Sequence, residues 1–370
     1  MNLFANLSLL TWKMVVMWGI GGLLIYLAIA KKMEPSLLLP MGFGAILVNL
    51  PLSGAVTQGD IVGPLNALFA AGFSNELFPL LLFIGIGAMI DFGPLLEKPW
   101  LMLFGAAAQF GIFLTLCLAG LFFDLKDAAS IAVIGAADGP TAIFVANTLG
   151  SKYLGAIMVA AYSYMALVPI VQPPVIRLCT TKKERLIRMP YQKGNVTKRT
   201  RILFPILVTI VSGLVAPSSV ALVGFLMFGN LLRECGVLAS LSETAQNVLA
   251  NLITIILGLT VACQMTAEQF VQPDTLLILA LGLVAFVGDT VGGVLFAKLL
   301  NLFLPEGKKI NPMIGAAGIS AFPMSGRVVN QMGLKEDNQN FLLMYSVSVN
   351  VSGQIASVVA GGLILSLMGR

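Results

Sequence analysis

The sequence predicts an all-α polytopic membrane protein, and three observations predict it: the composition, the long apolar runs and an internal repeat. Of 370 residues, 58% are hydrophobic and only 11% are charged, whereas a soluble domain averages about 25% charged residues. Several apolar runs reach the roughly 20 residues that a helix needs to cross the hydrocarbon core of a bilayer. The clearest of these runs are 101–123, 274–296 and 341–367.

The residue types that are present and missing restrict the chemistry. The chain has no histidine, which excludes histidine metal sites and Ser-His catalysis and leaves proton transfer to carboxylates, Tyr, Lys or water. Its four cysteines are scattered without a C-x-x-C pair, so neither a disulfide framework nor a cysteine metal site is indicated.

One loop holds much of the positive charge. Residues 177–201 contain nine of the 22 basic residues, against the single acidic residue Glu184. Such a loop is typical of the cytoplasmic side of a membrane protein, and it could also be a docking surface for a soluble partner. The sequence lacks the interleaved aromatic and basic residues that would indicate nucleic-acid binding.

The internal repeat divides the chain on either side of this loop. The tetrapeptide I-G-A-A occurs at 134–137 and again at 314–317, Tyr-Ser occurs at 162–163 and 345–346, and Pro-Ser opens a span at 35 and 217. The order of these matches predicts a first transmembrane repeat at 1–178, a basic cytoplasmic loop at 179–200 and a second repeat at 201–370. The run from Met14 to Ala30 resembles a signal peptide, but its counterpart in the second repeat favours a mature first span.

Charge placement predicts how often each repeat crosses the membrane. Each half has six apolar segments, and Lys31, Lys32, Lys98 and the basic loop all lie on the cytoplasmic side if the fifth segment enters and leaves by the same side. The alternative is a fifth segment that is broken but spans the membrane. Five crossings in each half make the repeats inverted, which is a recurrent architecture of secondary transporters. We therefore expect about ten transmembrane helices plus two broken or re-entrant segments.

The first broken segment carries a carboxylate. Asp138, Gly139 and Pro140 interrupt the apolar stretch 131–147, where Pro removes a backbone donor and Gly permits unwound geometry. A carboxylate inside the membrane costs roughly 2.5–3.5 kcal/mol on insertion scales, and a bound cation would offset that cost. Oxygen ligands from Asp138, Thr141 and freed carbonyls suit a hard ion such as sodium; the alternative is that Asp138 only caps a helix.

The second broken segment, 311–327, has no carboxylate but offers neutral oxygens and a cation. If the repeats bring the two breaks together, Asn311 and Ser320 become ligands near Asp138. Arg327 could hold a carboxylate-bearing substrate or could anchor the segment at the membrane interface.

Further candidates lie in other apolar spans. Tyr164 is a candidate proton carrier, whereas Tyr162 is more typical of a packing residue. Asp91 and Asp289 are interpreted as capping or ion-pair residues.

Three long motifs resemble one family. They are G-A-A-D-G-P-T-A-I-F, A-Y-S-Y-M-A-L-V-P-I-V-Q-P-P and N-P-M-I-G-A-A-G-I-S-A-F-P-M-S-G-R. The chain resembles, over essentially its whole length, the beta subunit of sodium-pumping biotin-dependent decarboxylases of the oxaloacetate, methylmalonyl-CoA, glutaconyl-CoA and malonate types. Its short length resembles the methylmalonyl- and glutaconyl-CoA complexes more closely than the oxaloacetate ones.

The resemblance implies an activity and a set of partners. Such a subunit decarboxylates carboxybiotin delivered by a biotin carrier protein and couples this reaction to outward sodium movement, with one proton consumed. The implied partners are the carrier, a carboxyltransferase alpha subunit, a small single-span gamma or delta subunit and further copies of the chain in a bacterial cytoplasmic membrane. Trp12-Lys13-Met14 is not an M-K-M biotin-attachment pattern, so the biotin is expected on a partner.

The resemblance also implies residue roles. The family's sodium-site aspartate falls on Asp138, and its sodium-binding, proton-delivering tyrosine falls on Tyr164. The arginine linked to carboxybiotin falls on Arg327, and the remaining sodium-site residues fall on Asn311, Gly315 and Ser320. Without the resemblance, a secondary sodium-coupled organic anion transporter or a sodium/proton exchanger fits the same composition and repeat.

Overall fold

A computed structural model describes residues 8–32, 35–190 and 194–368 of the chain. The regular elements among these residues are helical, and α1 to α19 follow in chain order. They are α1 (Trp12–Ala30), α2 (Pro35–Val48), α3 (Pro64–Gly72), α4 (Leu77–Met89), α5 (Gly93–Glu97), α6 (Met102–Ala108), α7 (Phe110–Ala119), α8 (Leu125–Ala132), α9 (Gly139–Thr148), α10 (Leu154–Cys179), α11 (Lys182–Arg185), α12 (Lys198–Val215), α13 (Val220–Glu234), α14 (Ala239–Glu243), α15 (Ala250–Val261), α16 (Ala267–Phe270), α17 (Pro273–Phe303), α18 (Met324–Glu336) and α19 (Leu343–Leu367).

Tighter turns interrupt or extend some of these helices. Short 3₁₀ segments lie at Pro99–Leu101, Val133–Ala136, Pro217–Ser219, Ala262–Gln264 and Pro312–Gly318, and a π-helical segment lies at Thr244–Leu249. The second and fifth of these 3₁₀ segments overlap the two copies of I-G-A-A, so both predicted breaks are present.

The helices confirm a polytopic membrane protein. Six helical stretches of the described chain are long and apolar enough to cross a bilayer, or seven if α3 and α4, bent by 68°, form one span. The other predicted crossings fall on helices such as α2, which has 14 residues, fewer than the roughly 20 of a perpendicular span.

Apolar side chains cover the outside of the molecule, as a bilayer requires. Along α12, for example, Leu203, Leu207 and Leu214 are exposed. Only 17% of the α1 span is buried, against 78% of the α19 span. Helix α19 is therefore central, and α1 lies at the periphery.

Helices of the first half pack on helices of the second. Helix α2 packs on α15, and α13 packs on α4; within each half, α1 packs on α2, and α12 packs on α13. In the centre, α10 packs on α17 while α19 packs on α6. The central helices surround both broken segments.

The basic loop folds back onto the second half of the chain. Arg185 pairs with Glu336 at 2.7 Å, Arg188 with Asp337 at 2.5 Å and Lys298 with Glu184 at 3.2 Å. The hydrogen bond from Arg188 lowers the pKa of the Asp337 carboxyl below its usual value.

Asp91 belongs to a separate charged cluster. Its carboxylate lies 3.3 Å from Arg201 and 3.8 Å from Arg233. It also accepts the N–H of Gly93 at 2.8 Å. These contacts are those of a structural ion-pair and capping residue.

Candidate cation site between the two broken segments

The first break frees backbone groups from helical hydrogen bonds because the helix stops and restarts within a few residues. Helix α8 runs into the Val133–Ala136 turn, Ala137 adopts a left-handed conformation with φ of 51°, and Asp138 is extended. Pro140 lies in the first turn of α9, where its missing N–H removes no helical hydrogen bond. Asp138 therefore caps a new helix in the middle of the protein.

The two carboxylate oxygens of Asp138 have different surroundings. Oδ2 accepts hydrogen bonds from the Thr141 hydroxyl at 2.7 Å, the Ser357 hydroxyl at 2.9 Å and the Gln354 amide at 3.0 Å. Oδ1 accepts only a long bond of 3.5 Å from the backbone N–H of Thr141. The donors hold the carboxylate in place through Oδ2 and leave Oδ1 with lone pairs for a cation.

The second break meets the first at this point. The N–H of Ser320 donates to the carbonyl of Ala136 at 2.9 Å, and the Ser320 hydroxyl donates to the carbonyl of Gly353 at 3.0 Å. Asn350 donates to the Ile319 carbonyl at 2.6 Å, while its own Oδ1 is buried without a hydrogen bond among the described residues. Neutral oxygens thus surround the end of the first break.

A cavity of about 180 Å³ lies at this junction. Asp138, Tyr162, Ser320 and Gln354 line it, together with apolar side chains of α2, α4 and α15. By the same measure a single water needs roughly 10–15 Å³, so the cavity accommodates a cation with several waters.

Of the two tyrosines on α10, Tyr162 is the one that lines the cavity. Its ring packs so closely on Gly139 that a Cβ there would lie 2.5 Å from the ring, and its buried hydroxyl has no partner in the described chain. The Tyr164 hydroxyl instead donates to the carbonyl of Leu279, and its ring stacks near Phe286. Tyr164 therefore faces α17 in this structure.

Asn311 and Gly315 also lie apart from the cavity lining. The Asn311 amide donates to the carbonyls of Arg185 and Ile187, both at 2.9 Å, and its Oδ1 accepts the N–H of Met313 at 3.1 Å. Asn311 thus fastens the basic loop to the start of the second break. Gly315 packs on Gly293, where a Cβ would lie 2.0 Å from a carbonyl oxygen.

Arg327 lies one helical turn into α18, the helix that follows the second break. It is exposed, and within the described ranges its side chain has no ion pair or hydrogen bond. The guanidinium is consequently available to an anionic group from outside the chain.

The sequence reasoning missed the polar face of α19. Asn350, Gln354 and Ser357 are spaced to share one helix face, and two of them hold Asp138. The signal was present, because 346–357 carries six residues of Ser, Asn or Gln inside an apolar span, and polar residues in such spans usually face the protein interior.

A polytopic helical protein that buries a carboxylate where two interrupted helices meet belongs to the class of membrane ion transporters. The particular family follows from comparison with known proteins. The family model described as Na+-transporting oxaloacetate decarboxylase beta subunit matches residues 13–368. The chain belongs to this family and is a decarboxylase subunit of the sodium-transporting type, as the sequence motifs indicated.

Relatives extend over almost the whole chain. It is 48% identical over 360 residues to the glutaconyl-CoA decarboxylase subunit beta of Acidaminococcus fermentans, covering 97% of this chain and 94% of the relative. It is 47% identical to the methylmalonyl-CoA decarboxylase subunit beta of Propionigenium modestum, with 96% and 95% covered. It is 44% identical to the oxaloacetate decarboxylase beta chain of Klebsiella pneumoniae, with 95% and 94% covered.

Proposed function

We propose that this chain decarboxylates carboxybiotin presented by a partner biotin carrier protein and couples the reaction to outward movement of sodium, with one proton consumed. The observation that carries the proposal is the divided environment of Asp138. Three donors fix one carboxylate oxygen, while the other has unused lone pairs beside a polar cavity. A rigid carboxylate with a free oxygen is suited to a small cation.

The cation ligands in this proposal are oxygens of both breaks and of α19. Asp138 supplies the charge, and the Ser320 hydroxyl keeps its lone pairs because it donates to a carbonyl. The orphaned Oδ1 of Asn350 gains a partner if it turns to the ion. Thr141 contributes by orienting Asp138 through its hydroxyl. Such an all-oxygen set suits a hard, weakly polarisable ion like sodium.

The lining of the cavity supports sodium entry from the cytoplasm. Ser36 lies at the start of α2, four residues after the lysine pair 31–32, and Met89 lies at the end of α4. The carbonyl of Met89 accepts a hydrogen bond from Arg233 at 2.6 Å. Basic residues at both of these helix ends favour a cytoplasmic location, so the cavity extends toward the side from which an outward pump loads its ion.

Asn311, Gly315 and Tyr164 act at a distance from the cavity in this proposal. Asn311 fixes the start of the second break, and Gly315 allows that break to touch α17. Tyr164 delivers the proton after its hydroxyl leaves the Leu279 carbonyl. We expect Tyr164→Phe to lower turnover at least about 100-fold, because general acid catalysis contributes typically 10²–10⁴-fold; an unchanged rate would remove this role.

Arg327 binds the carboxylate of carboxybiotin. Its guanidinium is exposed and unpaired in the described chain, and two parallel hydrogen bonds from Arg to a carboxylate are both strong and specific. Binding the carboxylate there places carbon dioxide release one helix turn from the second break. Decarboxylation and the sodium site are then linked through a single segment.

Two inverted repeats with about ten crossings account for the assembly around this site. The reciprocal packing of α2 on α15 and α13 on α4 supports them. By family, the chain works in a bacterial cytoplasmic membrane beside a carboxyltransferase alpha subunit, the biotin carrier and a small single-span subunit, and it forms homo-oligomers. The basic loop at 179–200 is the docking surface for the carrier.

Proteoliposomes that contain the chain test the proposal. A supplied carboxylated biotin carrier should release carbon dioxide in a sodium-dependent reaction, and sodium should move across the vesicle membrane. Release that does not depend on sodium, or sodium movement without the carrier, would contradict the coupling and favour a secondary transporter.

The role of Arg327 is tested in the same vesicles with Arg327→Gln. We expect the KM for the carboxylated carrier to rise at least about tenfold, because a charge-assisted hydrogen bond contributes roughly 1.5–3 kcal/mol. Sodium affinity should stay the same. The matched control is Lys335→Gln, which removes a cation from the other end of α18; equal effects of the two variants would contradict a specific role for Arg327.

A further inference from the structure

Helix α17 carries a second buried carboxylate that the proposed sodium site does not use. Asp289 is 0% exposed. Its Oδ1 accepts the N–H of Ile112 at 3.1 Å, next to the interruption between α6 and α7 at Gln109. Its Oδ2 is buried without a hydrogen bond among the described residues, and the ion pairs of those residues do not include it.

A buried carboxylate with an unpaired oxygen is not stable as a bare anion. Removing an ionised carboxylate from water costs several kcal/mol or more unless it is paired. Asp289 is therefore either neutral, with a proton on the carboxyl group, or bound to a cation.

The location of Asp289 connects it to both broken segments. On the face of α17 that carries it, Ala285 lies against Gly135 of the first break, and Gly293 lies against Gly315 of the second. Asp289 lies one helical turn from each of these contacts. Gly135 and Gly315 are the matching glycines of the two I-G-A-A copies, so Asp289 lies between equivalent points of the two breaks.

The packing around Asp289 favours a proton over a metal cation. A Cβ on Gly135 would lie 3.2 Å from Oδ2, and one on Gly111 would lie 2.5 Å from Oδ1. Asp289 does not line the cavity at Asp138. Sodium needs several oxygens and room for them, whereas a proton only converts the carboxylate to a neutral acid in the same space.

No basic group near Asp289 compensates its charge. The elements packed against α17 and α17 itself carry the following ionisable residues, none of which pairs with Asp289 in the described chain: Cys117, Lys126, Asp127, Tyr162, Tyr164, Arg177, Cys179, Glu268, Asp274 and Lys298. Lys298 is bound to Glu184 and to the carbonyl of Cys179.

We propose that Asp289 is a proton-binding site of the membrane domain, protonated in this conformation and required to release and rebind its proton during turnover. In the release step the carboxyl O–H bond breaks, the proton passes to water and the carboxylate remains; rebinding reverses the step. The requirement for proton release during turnover rests on the proposed function, whereas the protonation state of Asp289 does not depend on it. Asp289 is distinct from Tyr164, because the Leu279 carbonyl that holds Tyr164 lies about 15 Å away along the α17 axis.

Infrared difference spectroscopy of the assembled complex in membranes tests the protonation state. The wild-type protein should show a carboxylic-acid C=O stretch that disappears in Asp289→Asn and shifts in Asp289→Glu. The matched control is Thr290→Val, because the adjacent Thr290 hydroxyl donates only within its own helix, to Phe286. If Asp289→Asn does not assemble, the shifted band in Asp289→Glu decides the assignment. A spectrum unchanged by substitution of Asp289 overturns the proposal.

Turnover provides the second measurement. Asp289→Asn should lower sodium-dependent decarboxylation at least about 100-fold, the lower end of the range for loss of a proton-transfer group, while Thr290→Val should not. Sodium should still raise the thermal stability of Asp289→Asn, since Asp138 is intact. Normal turnover in Asp289→Asn overturns the proposal even if the acid band is lost. If the wild-type complex shows no sodium-dependent decarboxylation, the proposed function fails, and the infrared band still tests protonation of Asp289.

Discussion

The two broken segments share the sequence I-G-A-A but differ at the residue that follows it. In the first break this residue is Asp138, and in the second it is Gly318. A Cβ on Gly318 would lie 2.6 Å from the Cβ of Ala108 and 2.7 Å from the carbonyl oxygen of Phe104. The second break therefore has no room for any side chain where the first has a carboxylate, so the repeated motif is followed by a charged residue in one break and a neutral one in the other.

In the proposed cation site, this difference explains why the two breaks contribute one negative charge and not two. Two carboxylates at equivalent positions would repel each other in a medium of low dielectric constant. The second break instead contributes the Ser320 backbone and hydroxyl. Each break thus has a separate role, and three substitutions can distinguish the roles.

The largest effect is expected from Asp138→Asn. The amide oxygen can still accept from Thr141, Gln354 and Ser357, so the protein should insert and fold, but the charge on the cation ligand is lost. We expect sodium-dependent turnover to fall at least about 100-fold, beyond the 10–100-fold typical for residues that only support a ligand.

The control for this variant is Asp127→Asn, which neutralises another buried carboxylate of the same half that binds Ser151 and the backbone N–H of Lys152. It should retain turnover. Wild-type sodium affinity in Asp138→Asn would show that the first break is not the charged half of the site.

Gly318→Ala should destabilise the protein. The added methyl group meets the backbone of α6, and overpacking of this kind typically costs about 1–3 kcal/mol. Thermal unfolding in detergent or lipid should therefore begin at lower temperature. The matched control is Gly22→Ala on α1, where a Cβ meets nothing within 4 Å. Equal stability of the two variants would show that the second break can accept a side chain after all.

Ser320→Ala should have the smallest effect of the three. It removes a neutral ligand worth about 1 kcal/mol, which corresponds to roughly a fivefold rise in the sodium concentration at half-maximal turnover. The rate at saturating sodium should change little. Ser348→Ala serves as the control, because the Ser348 hydroxyl donates only to the Met344 carbonyl in its own helix. A change in the saturated rate without a change in sodium affinity would contradict a ligand role.

Much of this site was readable from the sequence because breaks in apolar helices leave local signals. Asp138, Gly139 and Pro140 predict a restart of the helix, and the structure confirms Asp138 as its cap. The restart was predictable because its determining residues lie within a few positions of one another in the chain. Ser320 was expected near Asp138 only if the repeats bring the two breaks together, and its N–H donates to the carbonyl of Ala136, far away in the chain.

Which candidate residues line the cavity depends on long-range geometry. Tyr162 and Tyr164 lie two residues apart on α10, and only the packing of α17 and α9 against that helix decides which ring lines the cavity. Asn311 lies at the start of the second break, and its amide donates to carbonyls of the returning basic loop. Gln354 is separated from Asp138 by 216 positions, and no local pattern connects the two.

The sequence by itself determined the membrane class, the two interruptions, the family and the carboxylate of the first break, because composition, proline, glycine and charge act locally. Only the tertiary structure decided which oxygen of Asp138 is free, that α19 holds the other, and that Gly318 leaves no space for a second acid. These features arise where helices distant in the chain come into contact, and the distances between their atoms are set by the packing of the whole molecule.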